Sequence, residues 1–269
     1  MRDFTLKSYK TLMAALKDAD YAFQTFGDFI LSPAQGKSVV LRHDVDEKAW
    51  NALKMAQLES GLGIHATYFF RIVKQSNVPE VIRQIVALGH EIGYHYEDLA
   101  LAEGDETKAM ASFEKHLAYF REYYPVRSVC MHGSSTSKYD NRLLWKDHQL
   151  SDYGLVGEPY LSVDFNQVFY LTDTGYAWDG GKYAVRDVVE SGFLGLKFHT
   201  TQEIVKCIEE GGFPEKAMIL AHTLWTDSWV QWNWLHIREL LRNNLKLMAK
   251  NNKGIAKLYR KMVDSYWKR

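Results

Sequence analysis

The stretch Ser38-Val39-Val40-Leu41-Arg42-His43-Asp44-Val45-Asp46 combines a short apolar run with two closely spaced carboxylates. The apolar run predicts a buried strand, which we expect to extend over about 38–46. Residues two apart on a strand point to the same face, so Asp44 and Asp46 are expected side by side at its end. Two such carboxylates repel each other unless a positive charge lies between them, and a metal ion is the common solution.

Length and composition bound the kind of protein. The chain has 269 residues, 46% of them hydrophobic, which suffices for one large domain or two small ones. Lys plus Arg and Asp plus Glu both total 33, so the zero net charge does not favour nucleic acid or an anionic membrane surface as a partner. The first residues lack the layout of a secretion signal, and no apolar run approaches the roughly 20 residues that span a bilayer. Cys130 and Cys207 form no paired motif, so a cytoplasmic location is expected.

Strand-like and helix-like stretches alternate along most of the chain. Strands are expected over about 38–46, 64–70, 90–95, 126–131, 153–156, 168–171 and 217–221. Repeated strand-helix units predict a parallel sheet, either closed into a barrel or open. We expect a single domain over 1–269, with a helical lead-in over 1–37 and two C-terminal helices over 230–269.

Three histidines, His95, His132 and His222, follow later strand-like runs. In parallel α/β sheets, function concentrates where the carboxyl ends of the strands meet, so these histidines and the aspartate pair are expected to share one site. A single aspartate there is also explained as a helix cap, and a single histidine as a structural residue. The shared placement favours a site in which one carboxylate binds metal and the other acts as a base.

Further features extend this hypothesis. His222 is the expected proton donor, because histidine titrates near neutral pH. His132 precedes Gly133-Ser134-Ser135, which is either an ordinary turn or a loop whose backbone N–H groups bind an oxyanion. Four tryptophans lie within 225–234, where they either pack in the core or stack on sugar rings. The remaining histidines, including His43, are expected at the surface or in packing roles.

These residues, in this order, resemble the polysaccharide deacetylases, the NodB-homology group of carbohydrate esterase family four. The similarity is greatest to a subgroup whose first motif reads RHDVD, as at 42–46. Further matching stretches are ATYFFR at 66–71, GHEIGYHYEDL at 89–99, HGSSTSKYDN at 132–141, GEPY at 157–160 and YLTDTG at 170–175. The resemblance covers most of the chain. It implies an α/β fold, namely a distorted barrel of about seven parallel strands with a C-terminal helical extension.

The resemblance also implies chemistry: a divalent metal, often zinc, and hydrolysis of acetyl groups on sugars. It implies that Asp44 is the general base and that Asp46 and His95 bind the metal. It implies that His222 is the general acid and that Asp173 orients it.

The chain departs from the family pattern at two places. The second metal histidine would fall at Leu99, which cannot bind metal. We expect His132 to complete the site, with Glu97 as second choice. The family's third motif places an arginine beside the base, but 130–134 contains none, and Arg42 is expected to substitute.

The expected substrate is an acetylated sugar, nucleotide-linked, lipid-linked or in an oligosaccharide, on its way into a surface polysaccharide such as O-antigen or capsule. Two other classes of function stay open. One is a carbohydrate-binding relative with an impaired site, and the other is a metal-dependent amidohydrolase that acts on a non-sugar amide.

Overall fold

The computed structural model describes residues 2–133, 137–180, 186, 189–190, 192–193 and 195–267. The described strands are β1 (Ala22–Gln24), β2 (Ser38–Val45), β3 (Thr67–Phe70), β4 (Glu91–Tyr96), β5 (Val129–Met131), β6 (Phe169–Thr172) and β7 (Lys216–Leu220). The described helices are α1 (Leu6–Asp18), α2 (Phe26–Leu31), α3 (Ala49–Gly61), α4 (Pro79–Ala87), α5 (Asp98–Leu101), α6 (Glu106–Arg121), α7 (Pro159–Ser162), α8 (Thr201–Glu209), α9 (Trp229–Asn251) and α10 (Lys253–Trp267). Among them, none has the length and apolar character needed to cross a bilayer.

The strands form one parallel sheet in the order β5-β4-β3-β2-β7-β6, and β1 pairs with the first half of β2. The sheet curls into a half-barrel with helices around it, which confirms the predicted α/β class with parallel strands. Strand β2 lies at the centre, where Arg42 pairs with Leu220 of β7 and Asp44 pairs with Phe69 of β3. The aspartate motif therefore belongs to the most central strand of the sheet.

The strand predicted over 153–156 is wrong. Residues Leu150–Tyr153 form a short 3-10 helix, which Gly154 ends in the left-handed conformation with φ 66°. Beyond it, Gly157 forms an isolated parallel bridge with Ser128. The apolar residues between these points are too few to pair as a strand. The structure also adds β1 within the predicted helical lead-in, where three residues are too short for a periodic pattern.

The alternation along the strands divides the apolar residues into two groups. The larger group fills the space between the sheet and the helices. A smaller group lies inside the half-barrel and consists of Phe26, Val40, Phe69, Cys130, Phe165, Val168 and Met218. Because Val40 faces inward, Arg42 and Asp44 on the same strand face the interior as well.

Helix α2 closes the amino-terminal end of the half-barrel. The Phe26 side chain enters the interior, and its backbone N–H donates to Thr67 Oγ1 at 2.7 Å. The buried Glu91 carboxylate accepts from Thr67 Oγ1 at 2.6 Å and from the Gly27 N–H at 2.9 Å. Paired polar groups thus close the amino-terminal end of the half-barrel. The open end is at the carboxyl edge of the strands, where Asp44 lines a cleft.

Candidate active site

A cleft lies at the carboxyl edge of the sheet, and all but one of the residues predicted to form the site line it. Those lining residues are Asp44, Asp46, His95, His132, Asp173 and His222. From the other side, α9 contributes Glu239, Arg242 and Lys246, and α10 contributes Val263. The C-terminal helices thus form part of the wall of the site, which the sequence patterns did not indicate.

Arg42, the predicted site residue that does not line the cleft, lies beneath it and neutralises Asp44. The Arg42 side chain is fully buried, and its Nη2 donates to Asp44 Oδ2 at 3.0 Å and to the Tyr160 hydroxyl at 2.8 Å. The second oxygen of Asp44, Oδ1, is buried, and no hydrogen-bond donor among the described residues reaches it. One carboxylate oxygen is therefore held by the guanidinium, while the other keeps its proton-accepting capacity.

His95 is oriented by its backbone neighbour on β5. Its Nδ1 lies 2.9 Å from the carbonyl oxygen of Cys130. Because a carbonyl oxygen only accepts hydrogen bonds, Nδ1 carries the hydrogen and donates it. The other nitrogen, Nε2, lies 3.4 Å from Asp46 Oδ1 and 3.7 Å from Asp44 Oδ2. In the neutral ring, the lone pair on Nε2 is consequently directed at the aspartate pair.

His132 is oriented in the same manner by a carboxylate. Its Nδ1 lies 2.9 Å from Glu97 Oε2, and its Nε2 lies 3.6 Å from Asp46 Oδ1. Arg71 Nη2 donates to both Glu97 oxygens, at 2.7 and 2.9 Å. Burial raises the pKa of Glu97, but the charges of Arg71 and His132 outweigh burial and bring this pKa down to about 2. Glu97, the second-choice ligand in the sequence, thus faces Arg71 and His132 Nδ1.

The ligand atoms around Asp46 are of the kinds that bind a divalent cation such as zinc. Asp46 Oδ1 is buried without a hydrogen-bond donor in the described structure, and it faces Nε2 of His95 and of His132. Two ligand atoms bound about 2.1 Å from one tetrahedral ion lie about 3.4 Å apart, which matches both separations. Burial raises the pKa of Asp46, but the neighbouring charges of His132 and His95 hold it well below its usual range. The three electron-rich atoms therefore need a proton or a cation between them.

A second, overlapping cluster comprises Asp44, His95 and Cys130, whose ligand atoms lie within 4.8 Å of one another. Asp46, His95 and His132 do not meet this limit together, so one ion bound by all three would draw the two imidazoles closer. We nevertheless favour the Asp46 set, because the Arg42 guanidinium on Asp44 would repel a cation at the overlapping cluster. Sequence reasoning missed Cys130, although its position two residues before His132 places both on one strand face.

Asp173 holds His222 at the far side of the cleft. Asp173 Oδ1 lies 2.6 Å from His222 Nδ1, and both Asp173 oxygens accept the backbone N–H of His222, at 2.9 and 3.1 Å. The Trp225 indole donates to Asp173 Oδ2 at 2.9 Å. Burial lowers the pKa of His222, but Asp173 outweighs burial and raises it to about 10. His222 therefore carries a proton at neutral pH.

His43 is fully buried and stacks on Tyr68, which agrees with the packing role that was one of the two expected. Its Nδ1 lies 2.9 Å from the Ala221 carbonyl oxygen, and its Nε2 lies 2.8 Å from Glu59 Oε1. Both ring nitrogens therefore have a polar partner. Two tyrosine hydroxyls also donate to Glu59. Through its contact with the Ala221 carbonyl oxygen, this fully buried pair holds the chain immediately before His222.

Two further sequence hypotheses have distinct outcomes. Residues 134–136, which include Ser134 and Ser135 of the segment expected as either an ordinary turn or an oxyanion-binding loop, lie outside the described residues. Within the tryptophan cluster, Trp225 is fully buried and Trp232 is half-buried, while Trp229 and Trp234 on α9 are 66% and 48% exposed. Packing therefore explains part of the cluster, and the exposed pair needs another explanation.

The fold and the cleft together define a parallel α/β half-barrel with an acid–histidine centre at the carboxyl edge of its strands. No protein-family model and no curated protein matches the chain. Among solved structures it is similar to a CE4 family pseudoenzyme from Bacillus anthracis, with 12% identity, a TM-score of 0.44 and coverage of 78% of this chain and 61% of that one. The chain thus spans about three fifths of that relative.

Two further similar structures come from other bacteria. A family 4 carbohydrate esterase from Streptomyces lividans has 14% identity and a TM-score of 0.40, with coverage of 71% of this chain and 81% of that one. A CE4 esterase from Streptococcus mutans has 14% identity and a TM-score of 0.42, with coverage of 73% and 76%.

Proposed function

We propose that the protein is a metal-dependent hydrolase that removes an acetyl group from an acetamido sugar. The observation that carries this proposal is the position of Asp46 Oδ1, 3.4 Å from His95 Nε2 and 3.6 Å from His132 Nε2. Each histidine donates its other N–H to a fixed acceptor, which is the arrangement that orients metal-binding imidazoles in proteins.

In this proposal Asp46, His95 and His132 hold a divalent cation, with zinc the expected metal. Three protein ligands leave one position open, as in catalytic zinc sites. When bound, such a cation polarises a carbonyl group and makes water more acidic. The buried Arg71–Glu97 pair keeps His132 in the tautomer that presents its Nε2 lone pair.

Asp44 is the proposed general base. Its Oδ1 takes a proton from the water that adds to the acetyl carbonyl carbon. Arg42 positions the carboxylate through Oδ2, so the proposed proton acceptor is Oδ1, to which no described residue donates. In this role Arg42 replaces the arginine that the family pattern places in its third motif.

His222 is the proposed general acid. It gives its proton to the sugar nitrogen as the carbon–nitrogen bond breaks, which yields acetate and a free amine. Asp173 keeps the proton on the ring up to high pH and fixes the orientation of the imidazole.

The proposed substrate is an acetylated sugar, linked to a nucleotide or lipid or within an oligosaccharide, that is used in O-antigen or capsule synthesis. The sugar is proposed from the motifs at 42–46 and 89–99. The cleft is consistent with an anionic linkage, because α9 adds Arg242 and Lys246 to its wall.

The test combines metal analysis with acetate release from N-acetylated sugars. We expect Asp44→Asn to retain metal and lose turnover, and His95→Ala to lose both. The matched control is His199→Ala, since His199 is exposed, pairs with Asp179 and does not line the cleft. Normal deacetylation by both site variants would falsify the proposal.

A carbohydrate-binding relative without catalysis is the second candidate. It is favoured by Leu99, which is 3% exposed in the apolar core where the family pattern has a metal histidine. Purified protein that binds acetylated sugars with neither metal nor acetate release would establish this alternative. Hydrolysis of simple amides in preference to sugars would instead indicate an amidohydrolase.

A further inference from the structure

Helix α9 has an exposed apolar face; at its edge, Lys48 and Arg238 lie over the Trp234 ring. The large apolar side chains exposed on it are Trp229 (66%), Val230 (74%), Trp234 (48%), Ile237 (60%), Leu240 (63%), Leu241 (59%) and Met248 (54%). At 100° per residue these fall within one arc of about 140°. The buried Leu235, Glu239 and Asn243 fall on the opposite side of the helix. The other residues within this arc are asparagines and, at its edge, Leu247. The arc therefore contains no charged residue.

Helix α10 packs against α9 and extends this surface with charge. Leu258 and Met262 are 65% and 49% exposed on it. Lys257, Arg260 and Lys261 are exposed as well. We call α9 and α10 together the basic hairpin. It presents apolar and cationic side chains to the outside at the same time.

The C-terminal region is strongly basic, although the chain as a whole is neutral. Residues 229–269 contain ten lysines and arginines and two acidic residues, a net charge of +8. The chain as a whole is neutral, so residues 1–228 carry a net charge of −8. The zero net charge therefore does not exclude an anionic partner for the C-terminal region.

We propose that the basic hairpin is a peripheral docking surface for an anionic lipid bilayer. A helix with an apolar face that includes tryptophan and leucine, and with an excess of lysine and arginine, lies in the plane of a membrane interface. Each basic residue near an anionic bilayer adds to the attraction. The absence of charge from the outward face of α9 suits contact with acyl chains rather than with an acidic protein.

A second copy of the chain fits this surface less well. A symmetric dimer through the hairpin would bring together the exposed Lys257, Arg260 and Lys261 of both copies, and like charges at an interface oppose association. An anionic bilayer satisfies both the apolar face and the charge.

The hairpin also connects the proposed docking surface to the cleft. Arg242 and Lys246 of α9 line the cleft, while Ile237 and Leu241 lie on the outward face of the same helix. Docking through the outward face would hold the cleft beside the bilayer. The proposal does not rest on the reaction assigned to the cleft.

The test is flotation of the full-length protein with phosphatidylglycerol–phosphatidylcholine vesicles and with vesicles of phosphatidylcholine alone. We expect binding to the anionic vesicles to be at least tenfold stronger, and to fall as salt is raised to 0.5 M, because salt screens the charges. The variant Ile237→Gln/Leu241→Gln should lose at least tenfold in binding, since it removes two exposed apolar side chains that would enter the bilayer.

The matched control is Leu31→Gln/Leu101→Gln, which removes two apolar side chains of similar exposure, 59% and 56%, from other helices. Lys257→Glu/Lys261→Glu should weaken binding to anionic vesicles at least tenfold, and Lys54→Glu on α3 should not. Equal binding by the α9 variant and its control would overturn the proposal. Equal binding of the wild type to anionic and neutral vesicles would also overturn it. A third contrary result would be a wild-type dimer in sedimentation that the α9 variant dissociates, with no binding of either protein to vesicles.

Discussion

Asp173 Oδ1 lies 2.6 Å from His222 Nδ1, and the same carboxylate accepts the backbone N–H of His222. The two residues come from different strand ends, 49 positions apart in the chain. This contact raises the pKa of His222 to about 10, and so keeps the proposed acid protonated at neutral pH.

The first prediction concerns the pH profile of Asp173→Asn. Without the carboxylate, the pKa of His222 falls toward its ordinary value of 6.5, so the alkaline limb of kcat/KM should move from near pH 10 toward pH 7. At pH 8 we expect a loss of roughly tenfold or more, as for removal of a general acid. The control is Asp179→Asn, whose partner His199 is exposed. An unchanged alkaline limb would contradict the assigned role of His222.

The same pair predicts how stability depends on pH. Because the folded pKa of His222 lies above its ordinary value of 6.5, its contribution is complete below pH 6.5 and is lost as pH rises through about 10. The difference in unfolding free energy between wild type and Asp173→Asn should therefore shrink from pH 6 to pH 10. Denaturant titrations at both pH values measure it, and a difference that grows with pH would be inconsistent with the pair.

Glu97→Gln tests the support of His132. The amide cannot hold the imidazole N–H as an ionised carboxylate does, and loss of such a partner costs about 10- to 100-fold in metal affinity. Competition with a chelating dye measures the affinity for Zn²⁺. The comparison is Glu80→Gln, because Glu80 makes an exposed contact with Gln84 on α4. Equal affinity of the two variants would remove His132 from the metal site.

Cys130 and Asp46 distinguish the two overlapping ligand clusters. If the cation lies at Asp46, Asp46→Ala should lose stoichiometric metal and Cys130→Ala should retain it. Cys130→Ala should cost about 1 kcal/mol of stability, because Cys130 is a fully buried side chain. Elemental analysis of both purified variants decides the matter, and loss of metal from Cys130→Ala alone would move the site to Asp44 and Cys130.

Gly93 allows β4 to pass the Phe69 ring. A Cβ at residue 93 would lie 2.3 Å from Phe69 Cδ1, so Gly93→Ala must displace the ring inside the half-barrel. We expect a loss of about 1–3 kcal/mol in unfolding free energy, the usual cost of overpacking. The control is Gly61→Ala at the end of α3, where no neighbour lies within 4 Å of the added carbon. Similar stabilities of the two variants would contradict this interpretation of Gly93.

Much of the fold follows from local patterns. The apolar run before Asp44 predicts β2, and the alternation of strands with helices predicts a parallel sheet, because buried parallel strands need continuous apolar runs and helical crossovers. The wrong prediction of a strand over 153–156 also comes from a local pattern. A few apolar residues next to a glycine satisfy a strand pattern, but a 3-10 helix forms there instead.

The sequence alone was sufficient to place Asp44, Asp46, His95, His132 and His222 at the carboxyl edge of one sheet, since strand direction follows from parallel connectivity. Only the tertiary structure decided what each side chain faces. The bond from Arg42 to one oxygen of Asp44, the support of His132 by Glu97 and the wall that α9 adds to the cleft all join residues far apart in the chain. No local pattern encodes such contacts, because they depend on how the packed elements bring distant side chains together.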